Sequence, residues 1–189
     1  MAILSRRFRQ SLAGLLLLCV AGLGWRAITS PAAGALPVVT VEAVHAAFTL
    51  NLTRFITWPP NAFAAANAPL VIGTFPRDPV NAELDVAARG EVVNGHPVRT
   101  LRLQSLDDAS KCHVVFVSAP NPRQAALLQQ VAHRPILAIG DGDGFLELGG
   151  HVRFVPQPPR IGLRISVENL KASGLEARAQ LLRLAASTP

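Results

Sequence analysis

The chain has no tyrosine, one methionine, two tryptophans and two cysteines in 189 residues. Without tyrosine, one common catalytic proton donor is missing. One of the two cysteines, Cys19, lies in an N-terminal segment read below as cleaved, leaving Cys112 as the only thiol, so an intramolecular disulfide is excluded and the fold must rest on its core. No apolar run reaches the roughly 20 residues that a membrane span needs. The longest, Leu12 to Leu23, stops short of Trp25-Arg26. There is no G-x-S-x-G elbow, no Walker loop and no G-x-G-x-x-G after a predicted strand, which leaves nucleophilic catalysis and nucleotide binding without a signature. The five histidines (His45, His96, His113, His133, His151) are scattered, with no second His or Cys at i+3 or i+4, so metal binding is unsupported and no cofactor is expected.

What is present begins with Arg6, Arg7 and Arg9 ahead of the Leu12–Leu23 run, followed by the small-x-small site Ala33-Gly34-Ala35. This is the pattern of a cleaved export signal over residues 1–35, with the mature chain starting near Leu36. Ser5-Arg6-Arg7 matches a twin-arginine signal only in part, because Phe8 comes one position early. Four of the 18 basic residues and none of the 12 acidic ones lie in this segment, so the net charge falls from +6 to +2 on removal. The basic character is therefore mostly a property of the leader, and nucleic acid is not an expected partner. About 150 residues remain, one ordinary domain.

Along that domain, Val41, Val44, Phe48, Leu52 and Phe55 fall at helical spacing and predict a helix buried on that stripe. Leu50 is the poor fit, and Trp58-Pro59-Pro60 is the stop. Strands are predicted at Leu70–Phe75, Cys112–Val117 and Ile136–Ile139, with a strand pair around the Asn94-Gly95 turn. Helices are predicted at Asn81–Ala88, Arg123–Ala132 and Gln180–Ala186, and Ser105 with Asp108 suggests a cap for another short one. Two alternating strands, His151–Val155 and Ile161–Ser166, would put Val152, Phe154, Ile161, Leu163 and Ile165 on the inner face and Arg153, Arg160 and Arg164 outside. The fold class that follows is α/β: a single three-layer domain over residues 36–189, with a mixed, mostly parallel sheet covered by helices on both faces. Asp141-Gly142-Asp143-Gly144 resembles a calcium loop but lacks the third acidic position and the closing Glu, so it reads as a turn at the carboxyl end of a strand. Open α/β sheets bind small ligands there, which makes Asp141, Asp143 and Phe145 a candidate pocket loop.

The block Asn51-Leu52-Thr53-Arg54-Phe55-Ile56-Thr57-Trp58-Pro59, with its F-x-x-W-P ending, resembles the opening helix of the YfiR family. Asp78-Pro79, Lys111 to Val117, the D-x-x-G-F…G-G run (Asp141, Gly144, Phe145, Gly149, Gly150) and the closing Gly174-Leu175 and Leu181–Ala185 agree in order, so the likeness spans residues 40–186. The resemblance implies a periplasmic, non-enzymatic regulator that holds an inner-membrane diguanylate cyclase inactive through its periplasmic domain. An outer-membrane, peptidoglycan-binding lipoprotein would sequester it, freeing the cyclase to make cyclic di-GMP and promote biofilm. A homodimer is a further assembly it allows. Many members carry a cysteine in the first strand, where this chain has Gly73, so the usual partner of Cys112 is missing. The three arginines form the expected partner-binding face. Two other classes stay open: an exported small-ligand-binding protein with its pocket near residues 141–145, and a secreted hydrolase, which would need a convergent catalytic group.

Overall fold

In the computed structural model, residues 39–157 and 160–186 are described; the predicted signal segment lies outside them. Helix α1 (Val41–Thr53) starts where the Thr40 hydroxyl accepts the Ala43 N–H, a standard N-cap. The chain continues through β1 (Ile56–Thr57), β2 (Leu70–Thr74), α2 (Asn81–Ala88), β3 (Val92–Val93), β4 (His96–Arg102), a 3₁₀ turn (Asp107–Lys111) and β5 (Val114–Val117). It ends with α3 (Gln124–Val131), β6 (Leu137–Gly140), β7 (Val152–Gln157), β8 (Arg160–Ile165), α4 (Val167–Ala172), β9 (Glu176–Ala177) and α5 (Ala179–Ala186).

Seven strands form one sheet in the order β3-β4-β2-β5-β6-β7-β8. The inner five, β4-β2-β5-β6-β7, are parallel, and β3 and β8 close the two edges antiparallel. Counted along the parallel set alone this is the order 2-1-3-4-5 of a doubly wound sheet, which changes direction between β2 and β5. Alternate residues of each central strand serve opposite layers. Ile72, Val114, Phe116, Leu137, Ile139, Val152 and Phe154 meet α1, α2, α4 and α5, while Val115, Val117 and Ala138 meet α3 and Phe145. Continuous apolar runs such as Val114–Val117 are required because both faces of these strands are buried. The predicted α/β class, with a mostly parallel sheet and helices on both faces, is the observed one.

Several local expectations change. Helix α1 buries His45, Ala46, Thr49, Leu50, Leu52 and Thr53, so Leu50 is a core residue. Val41 is exposed and Val44 and Phe48 are only partly covered. The stripe read from spacing is met in part, with Leu52 buried and Phe48 and Phe55 packed against the core, while the fully buried side is the adjacent one because this helix is apolar on more than one side. The capping box expected at Ser105 forms by half: Asp108 reaches back to the Ser105 N–H, but the Ser105 hydroxyl caps no N–H of the 3₁₀ turn. The Asp108 carboxylate accepts the N–H groups of Gln104 and Ser105, tying the loop ahead of the 3₁₀ turn. Cys112 and His113 precede β5 rather than belong to it. The short pieces β1, β9 and α4 carry too little periodicity to be seen in the sequence.

Candidate functional site

The carboxyl ends of β2, β5 and β6 converge at the edge where doubly wound sheets hold ligands. At the point where the strand order reverses, the chain fills the crevice itself. Asp78, buried after β2, accepts the Ser118 N–H at 2.9 Å and the Ser118 hydroxyl at 2.7 Å from the end of β5, and also the Val80 N–H. The Asp78-Pro79 motif is therefore a clasp across the switch point.

One strand further on, a cleft of about 520 Å³ stays open. Its floor is Asp141, at the end of β6, and His45 of α1. Val39, Val41 and Val44 form one wall, and Pro156, Gln157, Arg160 and Ile161 of the β7–β8 hairpin form the other. The hairpin reaches over the cleft because β7 pairs with β6 only at Val152 and Arg153, while β7 and β8 stay paired out to Gln157 and Arg160. Asp141 Oδ1 accepts the Ala119 N–H at 2.6 Å, and Oδ2 lies 3.7 Å from His45 Nδ1. Burial pushes the Asp141 carboxyl above its usual range and the His45 imidazole below its own, with the attraction between the two opposing both shifts. His45 also stacks on Phe154 with ring centroids 4.8 Å apart.

Of the residues predicted for a pocket loop, Asp141 alone lines this cleft. Asp143 is almost wholly exposed and its carboxylate pairs with the Arg153 guanidinium. Phe145 is a correction: it is fully buried between the sheet and α3 and lines no cavity described here. The β6-to-β7 connection has no helix, and Phe145 supplies the apolar cover a helix would have given.

The three arginines do share a face. Arg153 and Arg164 are directly opposed across β7 and β8, and Arg160 lies on the same side opposite Gln157. Val152, Phe154 and Leu163 point into the core, with Ile161 and Ile165 packed against it. Arg153 is tied to Asp143, while Arg160 and Arg164 are exposed and form no ion pair with a described residue. Arg160 also belongs to the cleft wall, so the two sets of residues predicted separately meet at the hairpin.

A second cavity of about 640 Å³ lies at the other end of α1, lined by Trp58, Phe63, His96, Asn94 and Arg178 among others. Sequence reasoning missed its core, in which Phe63 is sandwiched between the imidazoles of His96 and His113 at centroid distances of 3.7 and 4.3 Å. The stack fixes the loop after Pro60, as do contacts of His96 Nδ1 with the Ala68 carbonyl and of His113 Nε2 with the Ala62 carbonyl. Isolated histidines 17 residues apart gave no signal of it.

The YfiR/HmsC-like family model matches residues 42–186, from α1 through α5. The chain belongs to the YfiR/HmsC-like family. Comparison with curated proteins found no match. The motifs behind the family resemblance have structural roles here. Phe55 to Trp58 spans β1, which pairs with β9, and the Phe55 carbonyl accepts the Arg178 N–H, so the first helix is stitched to the last. A Cβ at Gly140 would meet the Phe145 ring at 2.5 Å, and Gly150 abuts the same ring, so glycines flank that phenylalanine because nothing larger fits. A Cβ at Gly73 would sit 3.5 Å from Cys112 Cβ, a disulfide separation. Gly73 thus occupies the place of the expected partner cysteine, and Cys112 is a free, buried thiol.

Proposed function

We propose that the chain is a periplasmic, non-catalytic regulator of cyclic di-GMP signalling. It represses an inner-membrane diguanylate cyclase by docking on that enzyme's periplasmic domain, and an outer-membrane, peptidoglycan-binding lipoprotein sequesters it to lift the repression. Family membership supports the class of function. The observation that carries the docking role is the uncovered face of the β7–β8 hairpin, where Arg164 opposes Arg153 and Arg160 continues the row. With Arg153 paired to Asp143, the exposed Arg160 and Arg164 are the charges that suit an acidic partner surface. No helix among the described residues is long and apolar enough to cross a membrane, in keeping with a domain exported to the periplasm.

The test is a strain lacking the gene, complemented with wild type or with Arg160→Glu/Arg164→Glu. Wild type lowers cellular cyclic di-GMP and biofilm. The double variant, present at the same periplasmic level, leaves both at the deletion value. Full repression by the double variant would place the interface elsewhere, and no change on deletion would remove the regulatory role.

A further inference from the structure

The cleft beneath the hairpin has the chemistry of a ligand site of its own. His45 is more than nine-tenths buried and reaches the cleft, yet neither ring nitrogen hydrogen-bonds a described residue. The imidazole opens onto the cleft, where it can hydrogen-bond a donor or acceptor that enters. Beside it, Asp141 Oδ2 accepts no hydrogen bond from another described residue and stands 3.7 Å from the imidazole, too far for one between them. The base of the cleft therefore offers a carboxylate oxygen and, beside it, an imidazole that in its neutral form has one acceptor nitrogen and one N–H.

The surrounding charges set the sign of what fits. Asp141, Asp78 and Glu42 all act on His45, and among the described residues Arg160 is the one cation on the wall, at its exposed rim. The net field at the base is negative. The walls are apolar: Val39 and Val41 at the mouth are 73% and 57% exposed, with Val44 and Ile161 deeper. A cavity of this size, mostly apolar with a few convergent polar groups, is typical of small-molecule sites.

We propose that this cleft binds a primary ammonium group carried on a compact apolar body, the ammonium donating to Asp141 and His45 and the apolar part lying between the α1 valines and the hairpin. Three N–H donors match the two acceptors with one left for water. Because the hairpin forms one wall, an occupied cleft braces the arm that carries Arg160.

The probes are benzylamine, its neutral analogue benzyl alcohol and its anionic analogue benzoate, each titrated into the purified exported protein at pH 7 and constant ionic strength. Benzylamine raises the unfolding temperature saturably and shifts the His45 ring resonances with the same Kd. Asp141→Asn, which keeps an acceptor for the Ala119 N–H, weakens that Kd at least tenfold. Equal binding of benzyl alcohol would show that the charge is irrelevant, and preferential binding of benzoate would make Arg160 the anchor. Absence of any benzylamine effect on the His45 resonances would mean that the cleft is not a ligand site. Each of these outcomes overturns the proposal, and none depends on the regulatory reading.

Discussion

Two histidines act as backbone partners at the start of parallel strands. His113 Nδ1 accepts the Val71 N–H at 3.1 Å, and His151 Nδ1 accepts the Ala138 N–H at 2.8 Å, with His151 Nε2 at 3.0 Å from the Ser173 hydroxyl. Both roles require a neutral ring, and burial holds both pKa values down, that of His151 from 6.5 to about 4. The unfolded chain therefore takes up the proton first as the pH falls. The His151 contribution is complete above pH 6.5, declines between 6.5 and about 4, and totals about 3 kcal/mol. Urea unfolding across that window should show wild type losing stability more steeply than His151→Asn by roughly this amount; parallel profiles would contradict it. At Cys112, burial pushes the thiol up to about 12, so it is unreactive, and Cys112→Ala should keep the fold and the proposed regulatory activity. Gly73→Cys should close a disulfide with Cys112 on export, read as loss of both free thiols on denaturation without reductant. Two titratable thiols in the exported variant would refute the assigned geometry. That Cys112 has no second cysteine within residues 36–189 was plain in the sequence. The distance from Cys112 to Gly73 depends on the packing of β2 against the turn before β5, which no local pattern encodes.

Elements whose pattern has a single meaning were the legible ones. The Asn94-Gly95 turn has positive φ at both residues, 50° and 91°, as that dipeptide implies, and the hairpin follows. Period-two alternation placed the arginines of β7 and β8 on one face, because a strand has only two. Helix α1 was read with part of its buried face, Leu52, but Leu50 was placed wrongly because Val44 and Phe48 on one side and Ala46 and Leu50 on another offer competing stripes. The sheet took the side that brings His45 and Thr49 inward. Phe145 was misplaced for a related reason: the glycines around it suggest an open loop, whereas they make room for its ring. Phe145→Ala should therefore act on stability, costing about 3–5 kcal/mol in urea unfolding. A change under about 1 kcal/mol, far below the usual cost of emptying a packed aromatic site, would return the residue to the loop surface.

Across the whole molecule, the parallel order could be anticipated as a class but not as a sequence of neighbours, since strand adjacency is decided by contacts distant along the chain. The consequence for function is specific. The switch point between β2 and β5 is clasped by Asp78 and Ser118, which leaves the hairpin side of the sheet as the open end. Asp141, His45 and Arg160 line the cleft there, and Arg153 and Arg164 lie further along the same strand pair. The central claim is that this end docks an acidic surface of a membrane cyclase. Its most direct test is equilibrium binding of the purified protein to that cyclase's periplasmic domain at two ionic strengths. Wild type should bind with an affinity that falls as salt rises, and Arg160→Glu/Arg164→Glu should bind at least tenfold more weakly at low salt with unfolding unchanged. Binding by the double variant equal to wild type, with the same salt dependence, would contradict the account.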